Sequence, residues 1–260
     1  MQIPIYQVDA FTNERFSGNP AAVCPLDSWL EDSVLQNIAL ENNLSETAFF
    51  VKNEKGYHIR WFTPAVEVKL CGHATLATSF VIFNYFEPNS NKIHFDSLSG
   101  ELIVTKENDL LTLDFPIKEI TKTEIPKLAV EAFGKMPLEA YNSDDLLLVF
   151  DDEDFVKKVK PNFEILKKLT GFRGVCITSK GKDFDFVSRF FAPIFGINED
   201  PVTGSAHCML IPFWAEKLGK NDLRAKQVSA RGGELICKLD GKRVKISGNA
   251  VLYLEGKIKV

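Results

Sequence analysis

Three side chains beside small-residue turns could carry out acid–base chemistry. Glu46 enters an apolar strand-like run, where burial would raise its pKa from about 4.3 and suit it to proton transfer at neutral pH. His73 follows Gly72, and its unperturbed pKa of about 6.5 makes either charge state available near neutrality. Asp200 precedes Pro201, which keeps it out of the α region and leaves its carboxylate available to a helix end or a ligand.

Each of these residues also has a purely structural interpretation. A carboxylate at the start of an apolar run is often a solvated strand end, and a lone histidine is often a satisfied structural group. Asp200 could simply cap a helix. The functional hypothesis therefore depends on what positions the three side chains.

The turns that carry His73 and Asp200 follow two copies of one pattern. Arg60-Trp61-Phe62-Thr63-Pro64 precedes Cys71-Gly72-His73-Ala74-Thr75, and Arg189-Phe190-Phe191-Ala192-Pro193 precedes Thr203-Gly204-Ser205-Ala206-His207. The second copy has three extra residues between its arginine and its glycine. We interpret the chain as duplicated and expect one site between two similar halves.

Each turn opens an apolar helix, and a helix N-terminus offers unpaired N–H groups and a positive dipole end. Gly72, His73, Gly204 and Ser205 are therefore predicted to bind an anionic group such as a carboxylate, with Ser45 beside Glu46 as a further polar contact. The alternative is that the glycines only form tight turns and that Ser205 is a simple helix cap.

The two helices after the turns, Ala74–Phe83 and Ala206–Leu218, are apolar on nearly every face and must be enclosed. The rest of the chain is rich in short β-branched and aromatic runs. We predict an α+β protein of two pseudo-symmetric halves, each a β-barrel wrapped around its central helix. The N-terminal half is assigned to residues 1–117 and the C-terminal half to 118–260, with the option that the final strand returns to the first half.

Further elements are predicted from periodicity and turn signals. The predicted helices are 29–41, 129–133 and 163–169, and the predicted strands are 3–8, 47–51, 57–62, 93–95, 102–105, 110–115, 146–150, 175–178, 184–191, 235–238, 243–247 and 251–254. The polar stretch from Pro116 to Pro126 is expected to connect the halves.

The composition favours a small-molecule partner. The 260 residues are 45% hydrophobic and carry a net charge of −4 without a basic run, which argues against nucleic-acid or membrane binding. The five cysteines form no paired C-x-x-C, so neither disulfides nor a zinc site is expected and a cytoplasmic location is predicted. No P-loop or dinucleotide fingerprint is present, so no cofactor is expected.

Several longer motifs together resemble the phenazine-biosynthesis-like, or PhzF-like, family, which is related in fold to diaminopimelate epimerase. The motifs are Val8-Asp9-Ala10-Phe11-Thr12, Gly18-Asn19-Pro20-Ala21-Ala22-Val23, Leu44-Ser45-Glu46-Thr47-Ala48-Phe49, the two turn motifs, and Gln227-Val228-Ser229-Ala230-Arg231-Gly232-Gly233. The resemblance implies two barrel halves with the site in the cleft between them, no cofactor or metal, and a homodimer.

In the isomerase that names the family, a glutamate matching Glu46 moves a proton within dihydro-3-hydroxyanthranilate, and residues matching His73, Asp200 and Ser205 hold the substrate. The resemblance thus implies a cofactor-independent isomerase acting on a small carboxylate-bearing metabolite. The alternatives are a racemase or epimerase using Cys71 or Asp200 opposite Glu46, and a non-catalytic metabolite-binding or protein-binding module.

The related epimerases place a catalytic cysteine before each turn glycine. This chain keeps the first as Cys71 but has Thr203 at the second position. Cys208 lies five residues beyond Thr203, inside the predicted helix. A two-thiol epimerisation is therefore excluded.

Overall fold

A computed structural model describes residues 1–260, which form two compact units. The first unit consists of Met1–Phe115 together with Lys245–Val260, and the second of Pro116–Val244. The end of the chain thus belongs to the same unit as its beginning. No helix is both long and apolar enough to cross a membrane.

The first unit is built mainly from strands. Its elements in chain order are β1 (Gln2–Ala10), β2 (Asn19–Leu26), α1 (Asp32–Asn42), β3 (Glu46–Asn53), β4 (Gly56–Phe62), β5 (Glu67–Val68), α2 (Gly72–Val81), β6 (Lys92–Ser97), β7 (Gly100–Glu107) and β8 (Leu110–Pro116). A π-helical segment, Ile82–Phe86, continues α2.

The second unit has a similar strand content and more helices. Its elements are β9 (Thr121–Thr123), α3 (Lys127–Phe133), β10 (Glu139–Asn142), β11 (Leu146–Val149), α4 (Glu153–Lys158), α5 (Phe163–Leu166), β12 (Val175–Lys180), β13 (Phe186–Ala192), β14 (Ile197–Asp200), α6 (Gly204–Leu218), β15 (Asp222–Gln227) and β16 (Gly233–Asp240). The chain ends with β17 (Arg243–Gly248) and β18 (Ala250–Lys259).

Strand pairing in the first unit places the starts of β2 and β3 side by side. β1 pairs antiparallel with β2 and with β18, while β2 and β3 run parallel. The register sets Ala21 opposite Glu46. Because Asn19 is the first residue of β2 and Glu46 the first of β3, both lie at the same end of this sheet.

Helix α2 is enclosed by the strands of its own unit. Its residues from Gly72 to Ser79 are all buried, and it packs against β1, β2, β3 and β18. Three hydroxyls within the helix donate to the carbonyl four residues earlier, Thr75 at 2.5 Å, Thr78 at 2.7 Å and Ser79 at 2.8 Å. These bonds satisfy the hydroxyls without water, so a helix containing polar residues can be fully enclosed.

Helix α6 is the corresponding element of the second unit. It packs against β15 and β16 and continues through Pro212. Trp214 stacks on Phe186 with ring centroids 5.8 Å apart, and its indole N–H donates to Thr178 Oγ1 at 2.9 Å. Gly219 ends the helix at a φ of 67°, which confirms the predicted terminating glycine.

The predicted duplication is visible in matching ion pairs. Arg60 on β4 forms a two-pronged pair with Glu67 on β5 at 2.7 and 2.8 Å, and Arg189 on β13 forms the same pair with Glu199 on β14 at 2.7 and 2.8 Å. Each guanidinium also lies over the aromatic ring two residues further along its strand, at 5.1 and 5.0 Å. The same ion pair and ring contact therefore stabilise the strands that precede α2 and α6.

The predicted fold class, α+β with a strand-enclosed helix in each half, is confirmed, but several elements differ. Strand β2 was not predicted, because Gly18-Asn19-Pro20 has the composition of a turn. Helix α1 begins at Asp32 instead of Trp29, since the Trp29 ring packs against His58 and Arg60 at centroid distances of 4.9 and 5.2 Å. The expected connection at 116–126 contains β9, which pairs with β10.

Candidate functional site

Glu46 and His73 meet in the first unit. Glu46 opens β3, and His73 is the second residue of α2. Their atoms Oε2 and Nε2 lie 3.3 Å apart, a close electrostatic contact whose angles fall outside those of a hydrogen bond. The Glu46 side chain is 15% exposed and that of His73 only 4%, so a molecule approaching from solvent would reach the carboxylate first.

His73 is a neutral imidazole. Its complete burial lowers its pKa from 6.5 to about 3, because the charged form would lose its hydration. The expectation that either charge state is available near neutrality is therefore wrong. The sequence does not show that the turn at Gly72 is enclosed on every side.

The second nitrogen of His73 also has partners. Asn19 Nδ2 lies 3.2 Å from His73 Nδ1, and Cys71 Sγ lies 3.5 Å from the same atom. Both partners are buried. His73 is thus held on one side by Asn19 and Cys71 and faces Glu46 on the other.

Cys71 joins this cluster at the residue before α2. Donor atoms of Glu46, Cys71 and His73 all lie within 4.8 Å of one another. Such a set could hold a divalent ion such as zinc. However, each imidazole nitrogen already faces a protein partner, so an ion would have to displace one of them.

The first turn of α2 supplies main-chain donors. Thr75 N–H bonds to Cys71 O at 3.1 Å, so the N–H groups of Gly72, His73 and Ala74 have no acceptor within the helix. An anionic group would be stabilised by these N–H groups and by the helix dipole.

Ser45 lies in the bend immediately before β3 and is half-buried. Thr47, the next residue of β3, accepts a hydrogen bond from Asn42 Nδ2 at 3.1 Å. Successive strand residues face opposite sides of a sheet, so Thr47 and Glu46 point to different faces. Ser45 remains the predicted polar neighbour of the carboxylate.

In the second unit, Asp200 ends β14 and is held by a local network. Thr203 Oγ1 donates to Asp200 Oδ2 at 2.5 Å. The carboxamide of Gln227 accepts from Thr203 N–H at 2.8 Å and donates to Asp200 O at 2.7 Å and to Thr203 Oγ1 at 3.2 Å. Gln227 therefore fixes the turn that precedes α6.

Gly204 and Ser205 are the first two residues of α6, and both are buried. His207, one turn further, bonds through Nδ1 to Thr203 O at 2.8 Å, and burial lowers its pKa to about 4. Cys208 is buried, and burial raises its pKa to about 12. It is therefore unsuited to act as a base, as expected for a cysteine inside the helix.

The structure thus brings together Glu46, His73 and Gly72 in the first unit, and Asp200, Gly204 and Ser205 in the second. That both sets serve one ligand stays a prediction. Asn19 and Gln227 also contact residues of these sets, and the sequence did not identify these contacts. Both lie in motifs that stand out by composition, Gly18-Asn19-Pro20 and Gln227-Val228-Ser229, but their partners are distant along the chain.

Comparison with known proteins places these residues in a family context. The family model described as phenazine biosynthesis-like protein matches residues 8–256. An uncharacterized isomerase of Pseudomonas aeruginosa is 52% identical over 258 residues, which cover 99% of each chain. A crystal structure of a PhzF-family phenazine biosynthesis protein from Enterococcus faecalis shares 50% identity over 100% of both chains, with a TM-score of 0.97.

A more distant similarity concerns the fold alone. A hydroxyproline epimerase from Agrobacterium vitis is 8% identical and has a TM-score of 0.67, covering 99% of this chain and 91% of that one. The predicted relation to epimerase-like folds is thereby confirmed.

Proposed function

Since the chain belongs to the phenazine biosynthesis-like, or PhzF-like, family and is an isomerase, we propose that it shifts a proton within a small carboxylate-bearing metabolite without a cofactor. The reaction is proposed to be similar to that of trans-2,3-dihydro-3-hydroxyanthranilate isomerase. The observation that carries this proposal is the partly exposed Glu46 carboxylate backed by a buried, neutral His73 at 3.3 Å.

Glu46 is the proposed general acid/base. Its carboxylate would take a proton from one carbon of the substrate, the C–H electron pair would move into the neighbouring bonds, and Glu46 would return the proton to another carbon. The substrate keeps its formula, and the carboxylate ends in its starting state. The partial exposure of Glu46 supports this role, because the reacting atom has to contact the substrate.

The other predicted residues would bind and orient the substrate. The N–H groups at the start of α2, which have no acceptor within the helix, support a carboxylate-binding role for Gly72 and His73. Ser45, Asp200, Gly204 and Ser205 are proposed to contact the remaining polar groups. The bond from Thr203 fixes one oxygen of Asp200, which would orient the carboxylate toward one substrate group.

A racemase or epimerase that uses Cys71 is the second candidate. Its support is the position of Cys71 in the same cluster as Glu46. In this mechanism the thiol and the carboxylate would have to act on opposite faces of one carbon, yet their donor atoms lie within 4.8 Å of each other, which leaves little room for a carbon between them. Thr203 at the second cysteine position keeps this candidate behind the single-base isomerase.

The two candidates are distinguished by screening small unsaturated amino and hydroxy acids in deuterated water. Proton NMR follows exchange and isomerisation for the wild type, Glu46→Gln and Cys71→Ser. The proposal expects a loss of at least roughly 10² to 10⁴-fold in Glu46→Gln and near-normal rates in Cys71→Ser. Full activity in Glu46→Gln with loss in Cys71→Ser would favour the racemase or epimerase.

We also propose a homodimer in the cytoplasm. The family resemblance supports the dimer, and the five cysteines, which are buried and form no disulfide, fit a reducing compartment. Sedimentation equilibrium tests the assembly, and a monomer at micromolar concentration would contradict it.

A further inference from the structure

The buried carboxamide of Asn19 begins a chain of contacts that ends at Glu46. Asn19 is fully buried at the start of β2. Its Nδ2 lies 3.2 Å from His73 Nδ1, and His73 Nε2 lies 3.3 Å from Glu46 Oε2. Asn19 therefore acts on the side of the imidazole that Glu46 does not reach.

The direction of the first contact follows from the donor chemistry. A carboxamide nitrogen only donates, so Nδ1 of His73 must accept. Cys71 Sγ, at 3.5 Å from the same nitrogen, offers a second weak donor. A neutral imidazole has one N–H group, and with Nδ1 as the acceptor that group must be Nε2–H, which faces Glu46.

We propose that Asn19 is a positioning residue that fixes His73 in its Nε2–H tautomer, so that the proton of His73 lies on the nitrogen next to Glu46, 3.3 Å from Oε2. An N–H group beside a carboxylate stabilises its charged, proton-accepting form. The opposite tautomer would place a nitrogen lone pair against a carboxylate oxygen. The catalytic consequence rests on the proposed function, whereas the tautomer does not.

The local backbone explains how Asn19 is held. Gly18 has a φ of 66°, and a Cβ at this residue would lie 2.2 Å from the main-chain oxygen of Ala10. Only glycine fits this approach. The next residue, Asn19, pairs with Ala10 at the edge of the β1–β2 ladder. The Gly18-Asn19 sequence thus places the carboxamide at the end of β2 beside α2.

His207 provides an internal reference, because its contacts require the opposite tautomer. Its Nδ1 lies 2.8 Å from Thr203 O. Because a carbonyl oxygen only accepts, His207 must carry its proton on Nδ1. The two buried histidines of this chain are therefore expected to be opposite tautomers.

The test is ¹⁵N NMR of protein labelled at its four histidines, near neutral pH and without a ligand. Long-range proton–nitrogen correlations distinguish the two tautomers, and His73→Gln assigns the His73 signals. We expect neutral Nε2–H for His73 and Nδ1–H for His207. A proton on His73 Nδ1 in the wild type would overturn the inference without any variant at Asn19.

Asn19→Asp supplies the decisive perturbation. Its carboxylate has nearly the size of the carboxamide but only accepts hydrogen bonds, so His73 Nδ1 is expected to gain a proton. Asn42→Asp is the matched control, since Asn42 donates to Thr47 instead of His73, and it should leave His73 unchanged. Circular dichroism identifies any variant that fails to fold. If Asn19→Asp does not fold, Asn19→Leu replaces it, and a mixture of the two His73 tautomers is then expected. A folded variant with His73 still purely Nε2–H would overturn the inference.

Measuring kcat of the Asn19 and Glu46 variants distinguishes a failure of this inference from a failure of the proposed function. If Glu46 is the base, Asn19→Asp should lower kcat by roughly 10- to 100-fold with little change in KM, as residues that orient a functional group often do. Unchanged kcat in a variant whose tautomer has switched would refute the catalytic role of Asn19. If the tautomers are as expected but Glu46→Gln stays active, the proposed function fails and the role of Asn19 in setting the tautomer stands.

Discussion

Two buried histidines should make the folded state sensitive to mild acid. Burial holds the pKa of His73 at about 3 and that of His207 at about 4, whereas both are near 6.5 in the unfolded chain. Below pH 6.5 the unfolded chain therefore binds protons that the folded protein does not. The free energy of unfolding must fall as the pH falls, until the folded-state pKa values are reached.

The size of the effect follows from the pKa values. Between pH 6.5 and 5 each histidine stays neutral in the folded protein while its unfolded form becomes almost fully protonated. Proton linkage then removes about 1.6 kcal/mol per histidine, or about 3 kcal/mol for the pair. This is a large part of the 5–15 kcal/mol typical of a folded domain. Few carboxylates titrate in this interval, so the histidines should dominate.

Urea unfolding at fixed protein concentration, repeated from pH 6.5 to 5, measures the loss. His207→Gln should halve it, because glutamine can still donate to Thr203 O but does not titrate. A total loss below about 1 kcal/mol, or an unchanged loss in His207→Gln, would refute the interpretation that both histidines are buried in the neutral form.

Three further predictions concern the elements around the site. Gly18→Ala should lower the free energy of unfolding by more than about 2 kcal/mol, because its Cβ would meet a main-chain oxygen at 2.2 Å. Gly134→Ala is the control, since Gly134 has a similar φ but open space around it, and it should lower the free energy of unfolding, measured in urea, by about 1 kcal/mol. Arg189→Met should cost about 2 kcal/mol by leaving Glu199 without its two-pronged partner, and part of this should return when Glu199→Gln is added; full additivity would contradict the pairing. Elemental analysis of purified protein should find no stoichiometric zinc, because protein atoms already lie beside both nitrogens of the His73 imidazole. One zinc per chain would contradict this.

Repetition and burial made the main architecture predictable from the sequence. The two apolar helices follow recognisable turns, so their existence and their enclosure could be predicted, although each begins two residues earlier than expected, at Gly72 and Gly204. Strand β2 was missed because local turn chemistry at Gly18-Asn19-Pro20 is overridden by pairing with β1 and β3. Such pairing depends on residues that are distant in the sequence.

The candidate site was predictable in its residue types but not in its electrostatics. Glu46 and His73 stand out by their places in the chain, and the structure brings them together. The neutral state of His73 was not predictable, because burial of an imidazole depends on the strands that surround α2. The contacts of Asn19 and Gln227 were inaccessible for the same reason, since each side chain meets its partners only in the folded unit.

The central claim is that Glu46 alone removes and returns the proton. The most direct test uses a substrate that the enzyme converts. It carries deuterium at the carbon that loses its proton, and the reaction is run in ordinary water. A single carboxylate should return part of the deuterium to the new carbon of the same molecule, and Glu46→Gln should form no product. Complete loss of the label to solvent, together with product formation by Glu46→Gln, would contradict the account.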